Sequence, residues 1–111
     1  MEQQQVEYLQ KIKNHLRSAY LLSDEKIEAV LPRFVDTVRK LMTDLNELAV
    51  TDKNEALSRA GHAMKGALLN LGLQELAEKA YSIEKHQLVC TSDRDCVQLV
   101  VELKQEIDKI I

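Results

Sequence analysis

Glycine and proline are scarce in this chain, with three glycines and one proline in 111 residues. So little turn-forming material leaves nothing from which to build a succession of hairpins, which argues against a strand-rich fold. Tryptophan is absent, and one phenylalanine and three tyrosines are the only aromatics. Any core must therefore be filled by aliphatic side chains. Two cysteines, Cys90 and Cys96, are too few for a disulfide framework. Their spacing allows a bridge across a turn, but free thiols are expected in a reducing cytosol. No apolar run approaches the roughly 20 residues of a membrane span, and the N-terminus lacks a signal-peptide pattern, so cytoplasmic residence is expected. A basic excess is missing too. The net charge of -3 argues against a nucleic-acid partner.

What the chain has is leucine, alanine, glutamate, lysine and glutamine, the composition of helices. Apolar residues make up 45%, enough for one small core, and residues 1-111 are read as a single all-α domain. Val6, Leu9, Ile12, Leu16 and Tyr20 mark an amphipathic N-terminal helix over about 3-20, expected to cap the assembly. Ser23-Asp24 offers an N-cap to the longest helix, whose apolar stripe runs from Ile27 to Leu48. Pro32 lies inside it and is expected to kink it or split off its first turns. After a joint at Val50-Thr51, Asp52 and Glu55 resemble a capping box opening a third helix over about 52-71. Gly72 is placed to end that helix in a left-handed cap. Leu73, Leu76, Ala77, Ala80 and Ile83 form the next, to about His86. The loop Gln87 to Thr91 and an N-cap at Ser92 then lead to a last helix carrying Cys96, Val100, Leu103, Ile107 and Ile110. Short joints make successive helices antiparallel.

Within the third helix, Gly61-His62-Ala63-Met64-Lys65-Gly66 breaks the pattern. At about 100° per residue, Leu57, Ala60, Met64, Ala67, Leu68 and Leu71 share one face and His62 points away from it. Lys65 and Gly66, at i+3 and i+4, share the outward sector. Glycine inside a helix costs about 1 kcal/mol relative to alanine, and this segment has two beside the histidine. Gly66 removes the side chain that would cover the imidazole, and Lys65 supplies a flexible ammonium beside any anion placed there. Neutral imidazole is a covalent nucleophile, and the combination suggests a phosphoryl group carried on His62. A lone surface histidine would not justify that reading; His-x-x-Lys-Gly followed by Leu71-Gly72 does.

Residues 61-84 resemble the core of a histidine-containing phosphotransfer (HPt) domain, through His62-x-x-Lys65-Gly66, Leu71-Gly72 and Leu76-Ala77. The resemblance implies an antiparallel four-helix bundle, here with the additional N-terminal helix, that relays phosphoryl groups to and from aspartates of response-regulator receiver domains downstream of a sensor or hybrid histidine kinase. It implies His62 as phosphoacceptor and Lys65 as the group balancing phosphoryl charge. The helix after Gly72 returns toward His62 and brings Glu84 with it. In the resembling family a Glu or Gln at this offset accepts from the other ring nitrogen, which would fix the tautomer and leave Nε2 free. Leu69 projects about 20° from His62 and is a candidate docking residue beside the Gly66 gap. His15 and His86 are expected to be dispensable for transfer.

No glycine-rich nucleotide loop, ATP-site motif or metal-spaced acidic pair is present, so no kinase activity of its own, no cofactor and no metal are expected; the Mg²⁺ would sit on the partner receiver. His86 and Cys90, four apart, lack further ligands nearby. The sequence departs from the family at Ala67, Leu68 and Gly61. Two alternatives accompany the relay reading. One is a helical interaction module without transfer. The other is the phosphoacceptor domain of a chemotaxis-type histidine kinase, disfavoured where no kinase domain follows.

Overall fold

A computed structural model describes residues 2-49, 54-86 and 93-110, and these are helical throughout apart from short joints. The helices are α1 (Glu2–Ala19), α2 (Asp24–Ala49), α3 (Asn54–Asn70), α4 (Gln74–Glu84) and α5 (Asp93–Ile107). Asp52, the joint at Val50-Thr51, the loop Gln87 to Thr91 with Cys90, and the expected N-cap Ser92 lie outside the described residues.

Local chemistry sets the boundaries. Ser23 Oγ accepts from the Lys26 amide at 3.3 Å while the Ser23 carbonyl accepts from the Ile27 amide at 2.9 Å, so Ser23 caps α2. Asp24 and Glu25 follow in the first turn, where the helix dipole favours negative charge. Pro32 does not split α2, contrary to one expectation from the sequence: the helix runs unbroken through it. The proline is exposed, so the donor it removes is lost on the solvent side. Twenty-six residues at a rise of about 1.5 Å make α2 roughly 39 Å long, and it sets the 45 Å long dimension of the molecule. At the end of α3 the Leu73 amide bonds the Leu68 carbonyl and the Gly72 amide bonds the Leu69 carbonyl, both at 3.0 Å, with Gly72 at φ +75°. This is a Schellman cap, and the left-handed position needs glycine.

Packing closes a ring in which α2 lies against α3, α3 against α4, α4 against α5, and α5 against α2. The turn at 71-73 is so short that α3 and α4 run antiparallel, with Gly61 facing Ala80 and Glu84. Met64, Leu68, Ala80, Ile83, Val100, Leu103 and Ile107 fill the middle and are at most 1% exposed. The core is aliphatic, as the shortage of aromatics requires.

α1 lies over one end of this ring. Arg17 pairs with Asp24 at 2.6 Å and Lys13 with Glu28 at 3.2 Å, which ties α1 to the start of α2. Tyr8 donates to Glu106 Oε2 at 2.8 Å and Gln5 to the Ile110 carbonyl at 3.2 Å, at the end of α5. Tyr20 donates to Asn70 Oδ1 at 3.2 Å, at the end of α3. Ile12 and Leu16 are fully buried beneath α1. Each contributes about 1.5–3 kcal/mol by leaving water, whereas exposed ion pairs such as Arg17–Asp24 contribute about 0–1 kcal/mol, so the apolar seam holds the cap. Val6 and Tyr20, expected on that seam, stay 64% and 49% exposed. The turn that follows α1 has no glycine, and Leu21 takes its left-handed position at φ 55°.

His15 and His86 serve packing. The His15 ring covers the space a side chain on Gly72 would occupy and stands edge-on to Tyr20 at 5.9 Å. His86 is 3% exposed, and its Nδ1 donates to the Ile83 carbonyl at 2.9 Å.

Burial and the Glu106 carboxylate together push the Tyr8 hydroxyl up to about 12 from its ordinary 10.0. The folded state thus holds this proton where the unfolded chain gives it up. The stability gained is complete below pH 10 and is lost as pH rises through about 12. Tyr8→Phe is expected to delete a tyrosine ionisation near pH 12 from the ultraviolet titration and to flatten alkaline unfolding over the same interval.

Candidate functional site

The site lies midway along α3, where α4 returns beside it. Leu57, Met64, Leu68 and Leu71 are buried toward the bundle, which leaves His62 on the outer face with 67% of its side chain exposed. Gly61, immediately before it, is buried. A Cβ on Gly61 would lie 2.7 Å from the Glu84 amide nitrogen, 3.1 Å from the Glu84 Cα and 3.2 Å from the Ala80 carbonyl oxygen. Glycine here lets the last turn of α4 rest on the α3 backbone. That contact brings Glu84 to His62.

Glu84 then divides its two oxygens. Oε2 lies 3.1 Å from His62 Nδ1, and Oε1 lies 3.0 Å from the Lys65 ammonium. A carboxylate only accepts, so Nδ1 carries the proton, and in the neutral ring the lone pair then lies on Nε2. Glu84 Oε1 is itself shielded from solvent, and the side chains of Glu84 and Lys65 are 26% and 22% exposed. The Lys65 ammonium beside it, and then the His62 ring, outweigh this burial and hold the Glu84 carboxyl below its ordinary range. The carboxyl is therefore held in its charged form against the pull of its burial.

Gly66 is exposed, and a Cβ there would meet nothing within 4 Å. The two glycines thus differ in kind: Gly61 closes a helix contact, Gly66 leaves a surface open. Leu69 is 46% exposed and lines a shallow groove of about 250 Å³ together with Lys65, Gln74, Ala77, Glu78 and Tyr81. The structure thus brings His62, Lys65 and Glu84 into contact and sets Gly66 and Leu69 on the same side of the molecule. Lys65 does not project free beside His62; Glu84 engages it. Asn70, at the edge of this sector, accepts from Tyr20 rather than from a close neighbour in sequence.

Two participants escaped the sequence reading. Gly61 counted as a helix penalty and a departure from the family pattern, and its contact with α4 depends on a helix-helix approach that one helix's periodicity does not reveal. Tyr81, three residues before Glu84 and so on its face of α4, has the Lys65 ammonium 4.6 Å and the Lys85 ammonium 4.3 Å from its ring centroid. The i,i+3 relation to Glu84 was the available signal.

The Hpt domain family model matches residues 29-111. The chain belongs to that family, whose members carry phosphoryl groups on histidine within phosphorelays. The match begins inside α2, so α1 and the turn after it lie outside it. No curated protein and no solved structure gives a significant match. Among the described residues, no helix is long and apolar enough to cross a membrane and no group of three or more His, Cys, Asp or Glu is placed to hold a metal ion.

The two glycines are expected to respond oppositely to alanine. Gly66→Ala should stabilise the protein by about 1 kcal/mol through helix propensity alone. Gly61→Ala should destabilise it by about 1–3 kcal/mol, the range for forcing extra volume into a packed contact, and should lengthen the His62–Glu84 separation. Urea unfolding of both variants, with the imidazole NMR signals of Gly61→Ala, checks this; equal stabilisation by both alanines would remove the close-contact account.

Proposed function

We propose that this protein is a phosphorelay intermediate that accepts a phosphoryl group on His62 Nε2 from a receiver-domain aspartate and returns it to another. The observation that carries the reading is the orientation of an exposed ring: Nδ1 is 3.1 Å from Glu84 Oε2, while the side chain is 67% exposed. In the forward step the Nε2 lone pair forms the bond to phosphorus, and the bond from phosphorus to the aspartyl oxygen breaks. The electron pair leaves with the aspartate carboxylate. The Nδ1 proton stays in place, so the ring gains positive charge as the bond forms, and the Glu84 carboxylate stabilises it. No proton needs to move. The reverse step follows the same atoms.

Lys65 balances the phosphoryl oxygens. Its flexible stem allows the ammonium to exchange one Glu84 oxygen for a phosphoryl oxygen without leaving the site. Gly66 keeps the approach open, and Leu69 contributes an apolar contact for the receiver beside it. The receiver supplies the aspartate and the Mg²⁺ that neutralises charge in the transition state. A sensor or hybrid histidine kinase supplies the phosphoryl group upstream, and the domain acts in the cytoplasm as a carrier without kinase activity of its own.

Incubation with a phosphorylated receiver and Mg²⁺ is expected to leave an acid-labile, base-stable label on His62. His62→Gln should abolish it with helicity and melting temperature nearly unchanged. Glu84→Ala should slow transfer about 10- to 100-fold, the rate equivalent of one hydrogen bond to a charged group. Absence of label with every receiver of the source organism, or label on His15 or His86, would sink the proposal.

A further inference from the structure

The Lys65 ammonium has a second partner besides the carboxylate. It lies 3.0 Å from Glu84 Oε1 and 4.6 Å from the Tyr81 ring centroid. An ion pair at a partly exposed site holds a lysine loosely, because the stem gives up rotamer freedom for a screened attraction. An aromatic face adds a directional attraction that a carboxylate alone does not. Tyr81 and Glu84 are one helical step apart on α4, so the same turn presents both to Lys65. Tyr81 keeps 39% of its surface exposed. Its burial in the core therefore does not explain an aromatic residue at this position.

We propose that Tyr81 is a positioning residue for transfer at His62, its ring face holding Lys65 Nζ where it can meet a phosphoryl group on Nε2. The inference rests on the reading of His62 as phosphoacceptor. With the site empty of phosphate, the ammonium sits between ring and carboxylate. When a phosphoryl group arrives, the ammonium turns from the Glu84 oxygen to a phosphoryl oxygen and keeps its contact with the ring. No bond forms or breaks at Tyr81, and no proton passes through it. The ring's electron density matters to this role, and the phenol hydroxyl does not. Lys85, at 4.3 Å from the same centroid, is exposed, whereas Lys65 is the ammonium that also pairs with Glu84.

The test uses the full chain with Tyr81→Phe, Tyr81→Leu, and phenylalanine at position 81 bearing one, two or three ring fluorines, which drain the π face with little change of size. Phosphorylation of His62 is followed from phosphoramidate, a small donor that docks on nothing, and from a phosphorylated receiver at saturating concentration. Tyr81→Phe is expected to match the wild type, each added fluorine to lower the rate stepwise, and Tyr81→Leu to lower it about two- to fivefold, the size of a cation–π contact at a partly exposed site. In a Lys65→Met background the dependence on fluorine should vanish.

A flat fluorine series overturns the proposal. A dependence that survives Lys65→Met does so too, since it assigns the ring to Lys85. An effect confined to the receiver concentration at half-maximal rate, with none toward phosphoramidate, makes Tyr81 a docking contact and equally overturns it. Failure of the wild type to take label from either donor defeats the phosphoacceptor reading, and this inference with it. Label on the wild type with a flat series defeats the inference alone.

Discussion

The close approach of α4 to the α3 backbone at Gly61 is the constraint on which the site depends. The space a side chain would need there is taken by the Glu84 amide and the Ala80 carbonyl. Two helices that meet through their backbones are fixed relative to each other more closely than two that meet through flexible side chains, because little can give. The residue that follows the glycine on α3 is His62, the proposed nucleophile, and the residue whose amide it touches on α4 carries the carboxylate. The intrinsic helix penalty of Gly61 is thus the cost of a 3.1 Å imidazole–carboxylate contact.

Around this contact the site reconciles two opposed requirements. Under the proposed relay reading, a nucleophile that meets a partner protein must be exposed, but an imidazole whose tautomer is to be fixed needs a held partner. His62 is mostly solvent-facing, while Glu84 and Lys65 are each about three-quarters covered. The exposed group is oriented by covered ones. Electrostatics points the same way: the Lys65 ammonium and the His62 ring keep Glu84 charged against the pull of burial.

Much of this was legible in the sequence. Ser23 announced the start of α2, Gly72 the end of α3, and the spacing from Leu57 to Leu71 put His62 outward, because each is a local rule acting within one helix. Glu84 could be placed beside His62 because a short turn forces the next helix to return. What escaped depends on contacts between elements or on the absence of a usual signal. Gly61 looked like Gly66, although one is sealed against α4 and the other is open. Tyr81 stood out only once the register of α4 was fixed. Leu21 gave no turn signal, since a leucine occupies a left-handed position that glycine ordinarily fills. Val6 fitted the apolar stripe of α1 but stays exposed.

The division of Glu84 between two cations also governs how the site can be dissected. Each oxygen of one carboxylate answers to a different neighbour, so displacing either neighbour frees the carboxylate to turn toward the other. The three side chains form a single coupled unit in which one deletion alters what the remaining pair is worth. Effects of individual substitutions at His62, Lys65 and Glu84 will therefore not sum, and their apportionment requires double-mutant cycles around the carboxylate rather than a series of alanines.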